Sequence, residues 1–401
     1  MIVSVHVGEA GVRMGEVIWD HVKAKSSSLA SSASSASLFR EMADGKRVPR
    51  AVFVDMDPSS LDGLRSSYDC VSGREDASNN FARGYCSSGR LMMEVTWDRI
   101  SRMMEACDSV QGLLMTHSTS GGTGAGLGAL LSEKLDDEYP RVSKMGFQVI
   151  PSPQVSNTIV EPYNTTLCHH FMMDHIQTKV MVDNEALYDI CMLRHGIERP
   201  GYTDLNKVIA KVVGSITHQP FNDYYTNLIP YPRIHYVTCA FAETDSPYGM
   251  TREVLELKNR MVKSYGKPGK WISAYLVYKG HMTVTEINRA LIKYRDTNKI
   301  PFVDWSPVGI KCSFDMDTSL TSSSFPNLTG TFPTSSSSAS LLVNDTVIKE
   351  SFMRNNKKFE KMWNKGAFVH WYLQEGMETG EFVEAQENMA ALELDYQEME
   401  S

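Results

Sequence analysis

His117-Ser118-Thr119-Ser120-Gly121-Gly122-Thr123-Gly124-Ala125-Gly126 is the stretch from which the rest of the chain is read. The apolar run Gly112-Leu113-Leu114-Met115 precedes it and reads as a buried strand. Leu127, Leu130, Leu131 and Leu135 follow at helical spacing and share one face. Strand, glycine-rich turn and helix together present backbone N–H groups and a helix N-terminus to an anion, most often a phosphate. Ser118 and Thr123 add hydroxyl donors. Two known glycine motifs do not fit. A Walker A loop needs Lys where Leu127 stands, and no register of these glycines supplies G-x-G-x-x-G. The plain alternative is a flexible turn between strand and helix.

Composition narrows the class. The 401 residues suffice for two or three domains. Hydrophobic content of 42% and charged content of 22% are those of an ordinary globular chain. A net charge of −8 gives no electrostatic support to a general nucleic-acid role. The seven cysteines contain no C-x-x-C pair, which argues against a zinc site or disulfide framework and fits a reducing cytoplasm. Met1 to Val7 alternates like a strand rather than a signal peptide, and no apolar run is long enough to span a bilayer.

The same unit recurs along the first half. Val3 to Val7 leads into Gly8-Glu9-Ala10-Gly11 and then a helix through Met14, Val17 and Ile18. Val48 to Pro58 reads as a strand ending in Asp55 and Asp57. Such acids either ligate Mg²⁺ or, with Pro58 next, cap a helix; beside two phosphate-type loops the metal reading is preferred. Glu75 to Gly84 is a polar loop containing Asp76, Ala77 and Asn79. Gln148 to Ser156 leaves another strand and continues past Asn157 to Val160-Glu161-Pro162-Tyr163-Asn164. Val180-Met181-Val182-Asp183-Asn184 is a further strand end; the Asn184 amide suits a purine edge, or a cap. These alternations before Pro200 predict an α/β fold with a doubly wound parallel sheet. Every candidate loop follows a strand, so all would lie along its carboxyl edge. That agreement is the main argument for a nucleotide site.

Ser26 to Ser37 reads as a Ser/Ala-rich loop. Tyr202 to Thr217 reads as a helix with Leu205, Val208, Ile209, Val212, Val213 and Ile216 on a broad apolar face, as expected between two domains. Tyr202 and Asn206 share a face near its start, although Tyr202 could be plain core. The Pro220 region breaks the helix. Strands over Trp271 to Tyr278 and Phe302 to Pro307, with helices over Arg252 to Met261 and Val284 to Tyr294, predict a second α+β domain. Thr318 to Ser340 reads as a Ser/Thr-rich loop. Helices over Val347 to Trp363 and Glu381 to Glu398 close the chain. No Lys or Arg follows Lys365, which leaves an acidic face: a solvated surface, or a docking face for basic partners. The expected division is a nucleotide-binding domain at 1–201, a connecting helix at 202–219, an α+β domain at 220–344 and a helical region at 345–401.

Ser120-Gly121-Gly122-Thr123-Gly124-Ala125-Gly126 resembles the signature loop of the tubulin family, with Ser120 for its first glycine. Thr226 to His235 is similar to tubulins in general, and Val48 to Asp55, Phe368 to Tyr372 and Met389 to Glu393 are similar to the α class. The resemblance runs from Val3 to Glu398, in a divergent chain some tens of residues shorter than the family norm. It implies a cytoplasmic, cytoskeletal GTP-binding subunit that pairs with β-tubulin, assembles head to tail into microtubules and offers its acidic end to motor and microtubule-associated proteins. Carried over by motif, Glu9, Ala77, Asn79, Ser118, Gly121, Gly122, Thr123, Gly124, Asn157, Glu161, Asn184, Tyr202 and Asn206 would contact GTP. Tyr202 would stack on guanine, and Glu9 stands where Gln is usual. Asp55, Asp57 and Asp76 would lie near Mg²⁺, with Asp57 the expected ligand. Asp223, where the family has Glu, would orient the water that attacks GTP held by the next subunit. Two other readings stay open. One is a regulatory or capping subunit with impaired lattice assembly, suggested by the internal deletions, among them the short stretch from Ala242 to Gly249. The other is a nucleotide-dependent metabolic enzyme.

Overall fold

The computed structural model describes residues 1–27, 38–41, 47–154, 158–265, 269–280, 282–306, 309–315 and 337–400. Strand β1 (Ile2–Val7) is buried throughout. Its two polar side chains are satisfied internally: His6 Nδ1 lies 2.6 Å from Thr116 Oγ1, and Ser4 Oγ accepts from Trp19 Nε1 at 3.2 Å. The chain then enters α1 (Gly8–Ser27). A small antiparallel pair, β2 (Phe39–Glu41) and β3 (Arg47–Pro49), precedes β4 (Ala51–Asp55) and β5 (Asp69–Ser72). The single strand expected over Val48 to Asp55 is therefore split at Arg50. Short α2 (Phe81–Tyr85) and long α3 (Ser88–Glu105) lead to β6 (Gly112–Ser118). One π-helical turn (Thr123–Leu127) opens α4 (Gly128–Glu138). Strand β7 (Lys144–Ile150), α5 (Glu161–Met172), β8 (Thr178–Asp183) and α6 (Asn184–Leu193) complete the first half.

Helix α7 (Tyr202–Ile216) buries the six apolar residues expected of it. It also buries two cations unforeseen in the sequence. Lys207 Nζ pairs with Asp204 at 2.8 Å and Lys211 Nζ with Glu243 at 2.5 Å. Buried lysines need such partners, because an unpaired ammonium is costly in the interior. After α8 (Phe221–Leu228) come β9 (Tyr236–Glu243), α9 (Pro247–Leu255), β10 (Trp271–Lys279), α10 (Val284–Thr297), β11 (Ile310–Asp315) and β12 (Ser338–Asp345).

Among the described residues, ten strands form one sheet in the order β11-β10-β12-β9-β8-β7-β6-β1-β4-β5. The seven from β5 to β9 pair in parallel. Strand β12 inserts antiparallel between β9 and β10. The sheet thus runs without a break from the first half into the second, through the pairing of β8 with β9 at Lys179 and Tyr236. Strand β12 also extends one residue past the expected boundary at 344. Helices α11 (Lys349–Trp363), α12 (Val369–Gln374) and α13 (Thr379–Glu400) lie over one face, where Phe359, Tyr372 and Phe382 close a core with Tyr163.

Three local expectations need correction. Phe302 makes one bridge to Trp271, and Val303 to Ser306 turn away rather than forming a strand; Pro307 lies outside the described residues. The helix expected over Arg252 to Met261 instead begins at Pro247, because Ser246 caps it by accepting from Gly249 N, and it ends at Leu255 before one 3₁₀ turn. The expected loop over Thr318 to Ser340 gives way to β12 at Ser338; its part up to 336, like most of the Ser/Ala-rich stretch, lies outside the described residues.

Arg260 and Asp345 meet in the interior at 3.4 Å, with Thr238 Oγ1 accepting from Arg260 at 2.9 Å. Burial pushes the Asp345 carboxyl above its usual range, although Arg260 pulls it back. Arg260→Met leaves that carboxylate unpaired and should cost about 3–5 kcal/mol near neutral pH. An acid whose folded pKa is raised weakens the fold as pH climbs from the unfolded to the folded value. The deficit in denaturant unfolding should therefore shrink toward acid pH. A pH-independent deficit would contradict this account.

Candidate functional site

The strand ends gather as expected. Residues from the exits of β1, β6, β7 and β8 and from the start of α7 line one cleft of about 710 Å³. That is the size of a nucleotide-scale pocket. Glu9, Ser118, Glu161, Asn184, Tyr202 and Asn206 all line it. Tyr202 is 59% exposed, so the plain-core alternative fails for it. Its ring lines the cleft with the Tyr188 ring 6.5 Å away, and Asn184 and Asn206 share the same lining. Asn184 is the first residue of α6, and the cap is its neighbour Asp183, which accepts from Glu185 N at 2.8 Å. Ser152 donates to the same Asp183 oxygen at 2.8 Å. Asp183 thus anchors the β7 and β8 exits to each other. The sequence reading missed it, though Asp immediately before a helix is a recognisable cap signal.

The glycine turn reaches the cleft lining only through Ser118 and Ser120; Ala77, Asn79, Gly121, Gly122, Thr123 and Gly124 are not among the lining residues. Gly8 has φ +72° and faces Gly124: a Cβ added at Gly8 would sit 2.8 Å from the Gly124 nitrogen. Gly122 packs against the polar loop, where a Cβ would lie 2.7 Å from both the Ala77 Cβ and the Asn80 nitrogen. Ala77, Gly122, Thr123 and Gly124 are buried, so they can offer a ligand little beyond backbone groups. Gly121 is different: a Cβ there would meet nothing within 4 Å. Asn79 is exposed, with φ +54°, next to Ser78 at φ +50°. Asn157 lies outside the described residues.

The acids do not behave alike. Asp57 Oδ1 accepts from Ser59 N at 2.9 Å and Oδ2 from Ser59 Oγ at 2.6 Å, which makes Asp57 the cap of a 3₁₀ turn at Pro58–Leu61. The cap, set aside in the sequence in favour of a metal, is what the fold contains. Asp55 is 2% exposed, and burial pushes its carboxyl up to about 6. Neither lines the cleft. Among the described residues no three His, Cys, Asp or Glu side chains converge as a metal cage. Mg²⁺ needs no such cage when phosphates and water supply most of its ligands. Asp223 is also remote from the cleft lining. Its Oδ2 accepts from the Tyr275 hydroxyl and its Oδ1 from Asn227 Nδ2 at 3.0 Å.

The lining contains acids that the sequence reading passed over. Glu16, Asp20 and Glu185 join Glu9 and Glu161, and the lining also includes Arg13. Arg13, Glu16 and Asp20 follow Glu9 at helical spacing on α1, a signal visible once that helix face is known to bound the cleft.

A cleft at the carboxyl edge of a doubly wound sheet, lined by an aromatic and two amides and bordered by the serines that lead into a glycine turn, is the architecture of a nucleotide-binding protein. The GTPase domain of the Tubulin/FtsZ family matches residues 1–192, and the tubulin C-terminal domain matches residues 232–357. The tubulin alpha-3 chain of Zea mays is 36% identical over 99% of this chain and 96% of its own length. The nucleomorph tubulin alpha chain of Guillardia theta is 37% identical over 100% and 97%. The tubulin alpha chain of Pneumocystis carinii is 38% identical over 99% and 96%. The chain belongs to the tubulin family, with alpha chains among its relatives. It is therefore a GTP-binding cytoskeletal protein of GTPase type. The alignment to the Zea mays chain spans 438 positions, more than the 401 residues present here, so the shortening is internal. Among the described residues no helix is long and apolar enough to cross a membrane.

Gly122→Ala should disturb the turn, because Ala77 and the Asn80 backbone would have to move. Overpacking of this kind costs about 1–3 kcal/mol. Gly121→Ala, with open space around it, should leave thermal unfolding unchanged. Equal melting temperatures for the two variants would show that the turn yields freely.

Proposed function

We propose that this chain is an α-tubulin-like subunit that holds GTP in the cleft, pairs with β-tubulin and joins head-to-tail polymers, with cytoplasmic microtubules as its setting. The observation that carries this reading is the meeting of Glu9, Ser118, Glu161, Asn184, Tyr202 and Asn206 around one cleft in a member of the tubulin family. In this reading Tyr202 stacks on the base, and Asn184 and Asn206 hydrogen-bond its edge. Ser118, Gly121, Gly122, Thr123 and Gly124 take the phosphates with backbone and hydroxyl donors, and Ala77 and Asn79 close over them. Asn157, outside the described residues, is carried over by motif as the ribose contact. A Mg²⁺ ion would enter with the phosphates and neutralise their charge, with Asp57 and Asp55 nearest among the candidate acids. Asp57 would first have to release Ser59. The division at 1–201, 202–219, 220–344 and 345–401 is kept as functional units on a shared sheet. Acidic α13 is the proposed face for motor and microtubule-associated proteins.

The direct test is chemical. Purified protein, denatured by heat, should release guanine nucleotide in near-stoichiometric amount. Release of adenine or nicotinamide nucleotide, or of none from folded protein, would sink the reading. A second reading, a capping or regulatory subunit, is favoured by the three-residue connection Thr244 to Ser246 between β9 and α9. In the family this region joins neighbouring protofilaments. Pelleting with β-tubulin separates the two: full tubes at high incorporation exclude the capping role.

Asp223 is the proposed water-positioning acid for GTP held by the next subunit. Both its oxygens already have partners within the chain. Asp is also one methylene shorter than Glu, which draws its carboxylate back by ~1.5 Å. A displacement of about 1 Å can cost on the order of a hundredfold in rate. Hydrolysis in co-polymers with β-tubulin should therefore be slow, with Asp223→Ala changing it little. Tyr275→Phe, which removes one competing partner, should raise it. A normal wild-type rate that collapses in Asp223→Ala would show that the acid works as it stands.

A further inference from the structure

The residue that ties the site together does not face the cleft. Asn164, in the first turn of α5, is completely buried. Its Nδ2 donates to the carbonyl oxygens of Asn79 at 2.7 Å and Ser120 at 2.8 Å. Its Oδ1 accepts from Phe81 N at 3.1 Å and from the Tyr372 hydroxyl at 2.6 Å. A primary amide has two donors and two principal acceptor positions, and all four are used. They reach three separate parts of the chain: the polar loop, the glycine turn and α12. Asn79 and Ser78 hold positive φ angles, which cost free energy in residues with a Cβ and persist only when the surroundings hold them. The bond from Asn164 to the Asn79 carbonyl is such a hold. A second tether runs the same way, from Asn80 Nδ2 to the Trp371 carbonyl at 3.0 Å.

We propose that Asn164 is a positioning residue for the phosphate end of the nucleotide site, and that the Tyr372 hydroxyl makes α12 part of its support. The inference rests on the reading that the cleft binds guanine nucleotide. Asn164 fixes the distance between the 77–80 loop and the turn at Ser120, while Tyr372 fixes the Asn164 amide. If Asn164 adopts another rotamer, the loop loses its carbonyl anchor and the left-handed pair Ser78–Asn79 can relax away from Gly122. The C-terminal layer thereby sets how well the phosphates are held, without touching them.

The test compares two single-hydroxyl deletions. Tyr372→Phe removes the bond to Asn164. Tyr163→Phe removes a bond from the same layer, Tyr163 to the Ala367 carbonyl at 3.0 Å, but none to the nucleotide loops. Loss of one hydrogen bond corresponds to about a three- to tenfold change in an equilibrium constant. Both variants should therefore lose similar stability in nucleotide-free unfolding. Tyr372→Phe alone should release a fluorescent guanine nucleotide about three- to tenfold faster and speed amide exchange at Asn79 and Asn80. Asn164→Asp, which replaces the two amide donors with a carboxylate oxygen facing the acceptor carbonyls of Asn79 and Ser120, should do the same more strongly, and Tyr372→Phe carries the test if that variant does not fold. Nucleotide release unchanged in Tyr372→Phe, or raised equally in Tyr163→Phe, would overturn the positioning role while leaving nucleotide binding intact. A wild-type protein that binds adenine but not guanine nucleotide would overturn the binding reading, and the proposal with it.

Discussion

Backbone pressed on backbone is the constraint from which the site follows. Parallel β1 and β6 are hydrogen-bonded neighbours, so their exits leave the sheet side by side. Two helices must begin there within one strand spacing of each other, roughly 4.8 Å. The only way to start both without collision is to remove side chains at the crossing. Gly8 and Gly124 do this, and the positive φ of Gly8 bends the chain into α1. The two helix starts then aim their first N–H groups, which have no partner within the helix, at the same space. The anion-binding character of the cleft is thus a consequence of strand order and of glycine at two positions. The polar loop enters by the same device, because Gly122 lets Ala77 and Asn80 close against the turn.

Around that contact the sheet does the placing. The parallel strands from β5 to β9 end on the same edge, and the exits of β1, β6, β7 and β8 line the cleft. The start of α7 brings Tyr202 and Asn206 into the same lining as Asn184. The same helix carries its buried apolar face and its paired lysines into the sheet beyond. One element therefore links the cleft to β9, whose Glu243 receives Lys211. A shift of α7 along its axis would move that part of the lining and this ion pair together. Because the sheet is continuous through β8 and β9, such a shift would be felt in both halves of the molecule.

How much of this was legible depended on whether a feature is local. The strand–turn–helix units, the helix at Tyr202 and the amide at Asn184 were readable because periodicity and turn chemistry act over a few residues. Choices between two local roles were harder. Asp57 before Pro58 fits a metal or a cap, and the geometry of Ser59 shows the cap formed. Asp183 and Asn184 are adjacent candidates for one cap, and the fold gives it to the acid. Asn164 was invisible as an anchor, since its partners lie 44, 85 and 208 residues away in sequence. The buried lysines of α7 were invisible for a related reason: at helical spacing a lysine reads as solvated face, and its acid sits on another element or at the helix start. The sheet's continuity into the second half was hidden because β8 and β9, the strands that join the halves, are separated in sequence by α6, α7 and α8; β12, which links β9 to β10, begins inside what reads as a Ser/Thr-rich loop.

The charge of the cleft sets a condition on whatever enters it. Its lining includes Glu9, Glu16, Asp20, Glu161 and Glu185 against Arg13. Arg13 is itself 3.7 Å from Glu16, and Glu185 is met by Lys263 at 2.8 Å. Glu9 stands in the first turn of α1, where the helix end favours negative charge. A carboxylate there and a phosphate ~5 Å away repel by roughly 3 kcal/mol at an effective dielectric of 20. A helix N-terminus returns at most ~2 kcal/mol to one of them. On this arithmetic the backbone groups of the turn cannot carry a polyphosphate by dipoles alone while Glu9 is ionised. The balance changes sign only when a divalent cation lies between carboxylate and phosphate, since each anion then gains an attraction larger than the repulsion it replaces. In the proposed binding mode the glycine turn supplies shape and donors, and an acid at Glu9 beside the phosphates calls for a counter-ion between them.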